Sequence, residues 1–337
     1  MTNFFYFKPL AITLHVFVAL CAVPAYSQTA NSNTSDTVVV SAGVLKVDTA
    51  LQETPQSVSV ITQKELETRA PQKLDEALRY TSGVTAQPYG ADNDTDWFKI
   101  RGFDAATYLD NSRLFRDGYY TWLLEPYGFE QIEVVKGASA VLFGESTPGG
   151  AVNVVTKKPL FTPKGEFFQR GFGFDVAGHA SDDGDIRYRI VGLMKQADGE
   201  LDKTDNKRIY LAPSLAMALS DDTMLTLMAT YLHDDGTPTN PFFPAAGTLI
   251  DSPYGKIKPS ANLGEPDYDK YKRSQFSAGY LLEHDIDTTW RFSQRLNYGY
   301  NSLTLRSVYA FPNADTSATS LARGVVFRDG NSQSITT

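Results

Sequence analysis

Long segments in the second half of this chain alternate between apolar and polar side chains with a period of two. In residues 290–300, Phe292 and Leu296 fall on one face of an extended strand, whereas Arg291 and Arg295 fall on the other. Similar segments occupy residues 168–176, 186–194, 209–219, 225–231 and 276–282. Strands of soluble β-sandwiches also alternate, but they usually run only about 5–6 residues. Length and alternation together favour a transmembrane β-barrel with an apolar outer face and a polar lumen.

The predicted barrel is incomplete. Residues 161–337 supply about seven strands, whereas outer-membrane transporters with a plugged lumen close with 22 strands. Open strand edges in lipid would leave backbone groups without partners, and the chain ends in polar NSQSITT without a terminal aromatic residue. We therefore expect a fragment, a truncated gene product or a partial sequence. The short segment 220–222 predicts a periplasmic turn, and the long Pro- and Gly-rich segment 234–271 predicts an extracellular loop.

The N-terminus has the pattern of a cleaved secretory signal over residues 1–27. Residues 10–23 form an apolar run that follows Lys8 and precedes an A-x-S motif, and the run is too short to cross a bilayer as a helix. The only cysteine, Cys21, would be removed with the signal. A mature chain without thiols can have no disulfide, cysteine nucleophile or Cys-based metal site.

Composition and motifs narrow the possible functions. Charged residues make up 21% of the 337-residue chain and the net charge is −8, so no basic face for nucleic acid is predicted. Aromatic residues reach 12%, which fits either a globular core or the aromatic girdles of a membrane barrel. The histidines are isolated from one another: they are His15, His179, His233 and His284. No P-loop, G-x-S-x-G or H-E-x-x-H motif occurs, so we expect neither an enzyme nor a metal site.

Residues 28–43 read as a flexible leader that ends in an extended segment. Residues 28–35 are QTANSNTS, a composition typical of flexible linkers. The valines at positions 38–40 follow, and an exposed β-type triplet on such a leader is suited to adding a strand to the sheet edge of another protein. The alternative is an ordinary first strand of the following domain.

Residues 44–160 mix helix and strand signals. Thr62 and Glu65 have the spacing of a capping box that opens a helix. A second helix is predicted to begin at Pro71 and to stop near Gly83. Short strands are predicted around residues 98–101, 114–116, 132–135 and 152–156. These elements indicate a small four-stranded domain with helices.

Three motifs in this domain resemble a known family. They are KIRGF at residues 99–103, EVVKG at 133–137 and STPGG at 146–150, the last of which requires a tight turn with positive φ. They resemble the plug domain of the TonB-dependent siderophore receptors of the Gram-negative outer membrane, closest to the ferric hydroxamate (ferrichrome and ferrioxamine) branch. The resemblance starts near Asp36 and extends to the chain end. It implies an α+β plug domain followed by a transmembrane antiparallel β-barrel.

The resemblance also implies a function and its partners. A receptor of this family takes up a ferric siderophore across outer-membrane lipid, driven by TonB and its inner-membrane energising complex. The implied TonB box is Asp36, Thr37, Val38, Val39, Val40, Ser41 and Ala42. Since a ferric siderophore already satisfies its iron, neither a cofactor nor a protein metal ligand is implied.

Aromatic side chains are the implied ligand contacts. They are Tyr89, Tyr119, Tyr120, Trp122, Phe242 and Phe243. The first four fall at or beside plug-apex positions and the two phenylalanines at barrel-wall positions, and Tyr89 stands where the ferrichrome receptor has an arginine. Aromatic walls with a few donors suit a compact chelate. The alternative for each residue is packing beneath the loops.

Two basic residues are the implied latch between plug and barrel. Arg101 and Lys136 match plug positions that pair with barrel glutamates in the family, and those acids would lie beyond residue 337. Such a pair could break during gating, but buried ion pairs are also simply structural.

Other functions stay open at this stage. The transported ligand could be haem, cobalamin or another metal chelate, and the chain could be a non-transporting truncated remnant. Signalling receptors of the family carry an extra N-terminal domain, for which the leader at residues 28–35 is too short. Porins and adhesins lack the plug motifs.

Overall fold

The computed structural model describes residues 41–42, 49–50, 56–115, 118–137, 147–168, 171–239, 242–311, 315–317 and 319–337, with the backbone alone for 41–42 and 49–50. The predicted signal at residues 1–27 and the TonB-box residues Asp36, Thr37, Val38, Val39 and Val40 lie outside the described residues. None of the helices within those ranges is long and apolar enough to cross a membrane.

The N-terminal part of the described chain consists of short strands and helices. The strands are β1 Ser41–Ala42, β2 Thr49–Ala50, β3 Ser57–Thr62, β4 Val84–Ala86, β5 Phe98–Ile100, β6 Phe103–Asp104, β7 Ala106–Leu109, β8 Ser112–Arg113, β9 Phe129–Lys136 and β10 Gly150–Thr156. The helices are α1 Gln63–Arg69 and α2 Leu74–Ala77, and single 3₁₀ turns lie at Gly118–Tyr120 and Pro126–Gly128. We call the part from β3 to β10 the plug.

The plug contains two sheets rather than one. A five-stranded sheet has the order β3-β9-β10-β7-β8, and a three-stranded sheet has the order β4-β5-β6. The predicted four-stranded domain is therefore wrong. Of the strand predicted at residues 114–116, the described residues Leu114 and Phe115 are not in a strand, because β8 ends at Arg113; residue 116 lies outside the described residues. Ser41 and Ala42, the described end of the implied TonB box, pair antiparallel with Thr49 and Ala50.

The capping box predicted for the first helix is confirmed. Thr62 Oγ1 accepts from the Glu65 N–H at 3.4 Å, and Glu65 Oε2 accepts from the Thr62 N–H at 3.0 Å. The second helix is much shorter than predicted, since α2 starts after Lys73 and ends at Ala77. After Leu78 the N–H groups of Arg79, Thr81 and Val84 bond to carbonyls three residues back, so the chain continues as tight turns and not as α-helix.

The plug core forms around its two long central strands, which are buried on both faces. Ile132 and Val134 of β9 and Val152 and Val154 of β10 are fully buried in one apolar cluster. The glycine-rich turn before β10 is required by the same packing. Gly150 has φ 130°, and a Cβ there would lie 1.9 Å from the Val135 carbonyl oxygen. The predicted tight turn with positive φ is confirmed at this residue.

The C-terminal part of the described chain is one antiparallel sheet of eight strands in sequence order. They are β11 Lys164–Phe168, β12 Phe172–His179, β13 Ile186–Asp198, β14 Asp205–Ser220, β15 Thr223–Gly236, β16 Lys270–Asp285, β17 Arg291–Ala310 and β18 Arg323–Thr336. We call this sheet the wall. Within the described residues, β11 and β18 each pair on one side only, so the sheet is an open part of a barrel.

The wall confirms the period-two interpretation. Ile209 and Leu211 point to the exposed outer face, whereas Arg208 and Tyr210, which alternate with them along β14, are buried against the plug. The short turn after β14 and the long loop from residue 237 to 269 are also confirmed. The strand predicted at 168–176 is confirmed in part, because residues 172–176 lie in β12 and Phe168 ends β11. Strand β18, which has few apolar residues, was not predicted.

Candidate ligand site

The first part of the candidate site is the plug loop of residues 87–97, which we call the first apex loop. Tyr89 is 48% exposed at its tip, and its ring meets the Trp97 ring edge-on at 5.3 Å. The Trp97 indole N–H donates to Asp92 Oδ2 at 2.9 Å. The loop reaches the wall through Asn93, which donates to the Thr237 carbonyl at 2.8 Å, where the long loop begins. Tyr89 is therefore an exposed residue of a plug loop that contacts the start of the long wall loop through Asn93.

A buried lysine organises the first apex loop from below. Lys73 Nζ donates to the carbonyls of Asp92 and, at 2.6 Å, of Thr95. The same ammonium lies 3.5 Å from Asp75 Oδ2 and 3.7 Å from Asp96 Oδ1. Burial by itself lowers the pKa of Lys73, but the surrounding carboxylates outweigh it and hold that pKa above its usual range.

The carboxylates around Lys73 outnumber this single lysine; they belong to Asp75, Asp92, Asp94 and Asp96. Burial, with the charge of Asp94, raises the pKa of Asp92 to about 7. Burial, with the charge of Asp96, raises the pKa of Asp75 to about 6. The described residues contain no group of three or more His, Cys, Asp or Glu side chains that could hold a metal ion.

The second part of the site is the plug segment of residues 118–122, which we call the second apex loop. Tyr119 and Tyr120 are half-buried and pack on the wall residues Tyr271, Leu303 and Leu305. The guanidinium of Arg328, on β18, lies 5.7 Å from the centre of the Tyr119 ring.

Charges from the first apex loop reach Tyr119. The pKa of Tyr119 is raised by burial and then by the charges of Asp94 and Asp92, and Tyr309 of β17 adds to the shift. The two apex loops and the wall therefore converge around this ring.

Trp122 is a packing residue, which corrects its assignment as a ligand contact. Its side chain is only 9% exposed and belongs to the plug core with Leu124 and Phe129. The ring fits against Gly299 of β17, where an added Cβ would lie 3.2 Å from Trp122 Cζ3. Because plug atoms and the wall enclose it, the indole is not presented to a ligand.

Phe242 of the long loop meets a wall aromatic residue that sequence reasoning missed. Phe242 is exposed and approaches the Tyr309 ring edge-on at 6.2 Å, and Tyr309 is 5.3 Å from Phe311. Phe243 is half-buried. The sequence SVYAF at the end of β17 places an aromatic residue at alternate positions, which could have indicated this cluster.

The implied latch residues lie close together in the plug. Lys136 Nζ donates to the hydroxyls of Ser59 at 2.8 Å and Ser82 at 2.9 Å. Burial and the neighbouring charge of Arg101 lower the pKa of Lys136. Neither residue has a carboxylate partner in the part of the chain that the structure describes.

Plug and wall are instead joined by ion pairs in which the plug supplies the acid. Glu125 accepts from Arg208 Nη1 of β14 and from Lys195 Nζ of β13, both at 3.0 Å. Arg208 also binds both oxygens of Asp234 on β15, at 2.6 and 2.8 Å. Nearby on the wall, Gln275 holds the Leu123 backbone, accepting from its N–H at 2.9 Å and donating to its carbonyl at 2.8 Å.

A second buried ion-pair group lies where the plug passes into the wall. Asp175 of β12 accepts from Lys157 Nζ at 3.0 Å and from Arg189 of β13 at 2.8 Å on each oxygen. Arg189 Nη1 also donates to the Lys158 carbonyl at 3.0 Å. These contacts tie the end of the plug to the first strands of the wall.

Comparisons with known proteins agree with this architecture. Residues 50–151 match the family model "TonB-dependent Receptor Plug Domain". The chain is 36% identical to the ferrioxamine B receptor of Salmonella typhimurium (strain SL1344) over 85% of its own length and 43% of that receptor. It is 32% identical to the ferrichrome outer membrane transporter/phage receptor of Escherichia coli (strain K12), over 79% of this chain and 37% of that protein.

A solved structure supports the fold. The ferripyoverdine receptor of Pseudomonas aeruginosa superimposes with a TM-score of 0.77 at 22% identity, over 88% of this chain and 41% of that one. The chain thus spans less than half the length of the relatives it matches. These relatives are receptors and transporters, in agreement with the expectation that the chain is not an enzyme.

Proposed function

Because the chain belongs to the TonB-dependent siderophore receptors, we propose that the whole protein takes up a ferric siderophore, of hydroxamate type, across the outer membrane. The observation that carries this proposal is the convergence of two plug loops and the wall on Tyr119, beside an aromatic cluster at the start of the long loop. Similarity to ferrioxamine B and ferrichrome proteins favours a hydroxamate over haem, cobalamin or another chelate.

We propose that the ligand contacts are Tyr89, Tyr119, Tyr120, Phe242 and Phe243, together with Tyr309. A ferric chelate presents its organic shell, so it needs apolar ring surface and a few donors instead of metal ligands. Exposed rings such as Tyr89 and Phe242 offer that surface. The Arg328 guanidinium beside Tyr119 offers a cation for the polar part of the ligand.

The proposed organisation of the chain follows the family. Residues 1–27 are a cleaved signal, 28–43 a flexible leader with the TonB box, 44–160 the plug domain and 161–337 the N-terminal part of the barrel. The box, from Asp36 to Ala42, would bind TonB by adding a strand to its sheet. The exposed outer face of the wall would contact outer-membrane lipid.

Arg101 and Lys136 keep their proposed role as latch residues toward acids outside the described part of the chain. Their positive charges lie side by side without a carboxylate among the described residues, so an acid brought to them would gain two partners. Glu125 with Arg208 would be a second connection between plug and wall, in which the plug supplies the negative charge and the wall the positive charge.

Growth under iron limitation tests the proposed function. A strain lacking the full-length gene is supplied with one purified siderophore at a time and compared with the complemented strain. We expect ferrioxamine B or ferrichrome to support growth only when the gene is present. If haem supplied as the iron source shows the gene dependence instead, or if cobalamin-dependent growth in iron-replete medium requires the gene, the hydroxamate assignment is wrong. If no ferric chelate does, the transport assignment is wrong as well.

A further inference from the structure

One buried arginine of the wall binds both apex loops at once. Arg273, on β16, is 1% exposed, and its Nη2 donates to the carbonyls of Asp94 and Tyr119, both at 2.9 Å. Its Nη1 donates to the Thr121 carbonyl. These acceptors come from the first and second apex loops, more than 150 positions away in sequence. A single guanidinium therefore sets where the two loops lie relative to each other and to the wall.

The guanidinium is itself held from the opposite side. Its Nε donates to the Tyr271 hydroxyl at 3.0 Å, and that hydroxyl donates to Asp234 Oδ2 at 3.1 Å. Asp234 is fixed in turn by both donors of Arg208. The orientation of Arg273 thus depends on three neighbouring wall strands and does not follow the apex loops if they move.

Only arginine suits this position. The planar guanidinium presents five N–H donors in a rigid fork, whereas a lysine ammonium is a point charge on a flexible stem. Arg273 also supplies positive charge near Asp94, whose Oδ2 is buried and has no hydrogen-bond partner. Loss of the guanidinium would leave three loop carbonyls without their charged donor and one carboxylate less compensated.

We propose that Arg273 is a positioning residue of the ligand site, which holds Tyr119 and the loop of Tyr89 in the arrangement that receives the chelate. It makes this contribution from the wall and does not touch the ligand itself. The inference rests on the proposed function only for the identity of the ligand. How firmly the two apex loops are held can be measured without any ligand.

The test uses the full-length receptor in detergent, with Arg273→Met and Arg273→Lys as variants. The matched control is Arg189→Met, which removes an equally buried wall arginine that bonds Asp175 and the Lys158 carbonyl, not the apex loops. Amide hydrogen exchange is measured for residues 87–97 and 118–122 in the unliganded protein. Binding of ferrioxamine B and of ferrichrome is measured on the same samples.

We expect Arg273→Met to speed exchange in both apex loops, and Arg273→Lys to do so less. Affinity for the bound probe should fall about 10- to 100-fold in Arg273→Met, the loss expected for hydrogen bonds to a charged donor. Arg189→Met should leave loop exchange and affinity near wild type, even if it melts earlier. If Arg273→Met does not fold, the comparison of Arg273→Lys with the Arg189 control decides.

Unchanged loop exchange in the Arg273 variants, or an equal increase in Arg189→Met, would overturn the inference, since Arg273 would then stabilise the protein only generally. Failure of the wild-type receptor to bind either probe would count against the proposed hydroxamate function, while the exchange result would still decide the role of Arg273. Loosened loops with unchanged affinity would show that the ligand site lies elsewhere, and would also reject the inference.

Discussion

At the scale of single residues, buried polar side chains decide how the plug sits on the wall. Arg208 joins Glu125 of the plug to Asp234 of the wall, and Gln275 binds both backbone groups of Leu123. A buried polar group that loses its partner costs about 1–3 kcal/mol. Apolar contacts would tolerate small shifts of the plug, but these directional bonds do not, so they specify one arrangement.

Glu125→Gln should destabilise the full-length receptor. Arg208 and Lys195 both donate to Glu125 Oε2, and because an amide carries no charge, both cations would lose this negatively charged partner. Breaking a buried ion pair from one side costs about 3–5 kcal/mol, and we expect a clearly lower midpoint in a thermal melt. Glu166→Gln is the control, because Glu166 pairs with Lys164 in a partly exposed position and such pairs contribute about 0–1 kcal/mol. Equal midpoints for the two variants would contradict the assignment.

Tyr119→Ala should weaken binding of ferrioxamine B or ferrichrome by about 1–3 kcal/mol, the usual effect of losing an aromatic anchor. The structure adds a loss of stability, because the ring is half-buried against Tyr271 and Leu303. Tyr80→Ala removes an exposed plug tyrosine and should change neither quantity. Equilibrium titration and a thermal melt on both variants separate the two effects. Unchanged affinity in Tyr119→Ala would move the ligand site toward Phe242.

At the scale of elements, the first apex loop depends on a cluster whose charges do not balance. Lys73 is a single cation beneath the acids, and the pKa of Asp92 is raised to about 7 and that of Asp75 to about 6. The folded plug therefore binds protons near neutral pH that the unfolded chain has already released. This makes the loop sensitive to pH in the direction opposite to an ordinary ion-paired carboxylate.

The sign of the pH effect follows from linkage. A carboxyl whose pKa is raised in the folded state contributes most stability below its unfolded pKa of about 4, and that contribution is lost as the pH rises to about 7. We expect Asp92→Asn to flatten the fall in melting temperature between pH 5 and pH 8. Asp104→Asn, at an exposed plug residue, should leave the wild-type slope. A wild-type slope in Asp92→Asn would show that Asp92 is already ionised.

Local patterns predicted many elements, and long-range contacts overrode the others. The capping box at Thr62 and the period-two strands depend on neighbours in sequence, so they could be recognised. The start of the second helix could not be predicted from local sequence. The Lys73 side chain donates to a carbonyl of the first apex loop, and α2 begins only after Lys73. Strand β18 was missed because polar residues at 329, 331 and 333 interrupt the apolar stripe that Val325 and Phe327 begin on its exposed face.

The candidate site was predictable only where a family motif marked it. Tyr119 could be placed near the plug apex, but its neighbour Tyr309 comes from a strand almost two hundred positions later. Glu125 and Arg208 are separated by 83 positions, and no local spacing indicates that they meet. Trp122 was predicted to contact the ligand because it is close to Tyr119 in sequence. In the structure its ring packs against Gly299 and points into the core.

At the scale of the whole molecule, the chain combines a plug with eight strands of an open wall. It covers 43% of the ferrioxamine B receptor that it resembles, so the uptake that we propose concerns the full-length protein. The two apex loops, the long wall loop and the Arg208 ion pairs lie on one connected path between plug and wall. In our account, transport requires that these contacts between plug and wall break when TonB pulls on the leader.

The most direct test of uptake by this protein follows radioactive iron supplied as ferrioxamine B or ferrichrome to cells with the full-length receptor. Val39→Pro removes an N–H donor from the proposed TonB box, and the matched control is Thr34→Pro in the leader before it. We predict that wild type and Thr34→Pro accumulate iron, whereas Val39→Pro binds the chelate at the surface with unchanged affinity and accumulates none. Accumulation by Val39→Pro at the wild-type rate, or none by wild type from either chelate, would contradict the account.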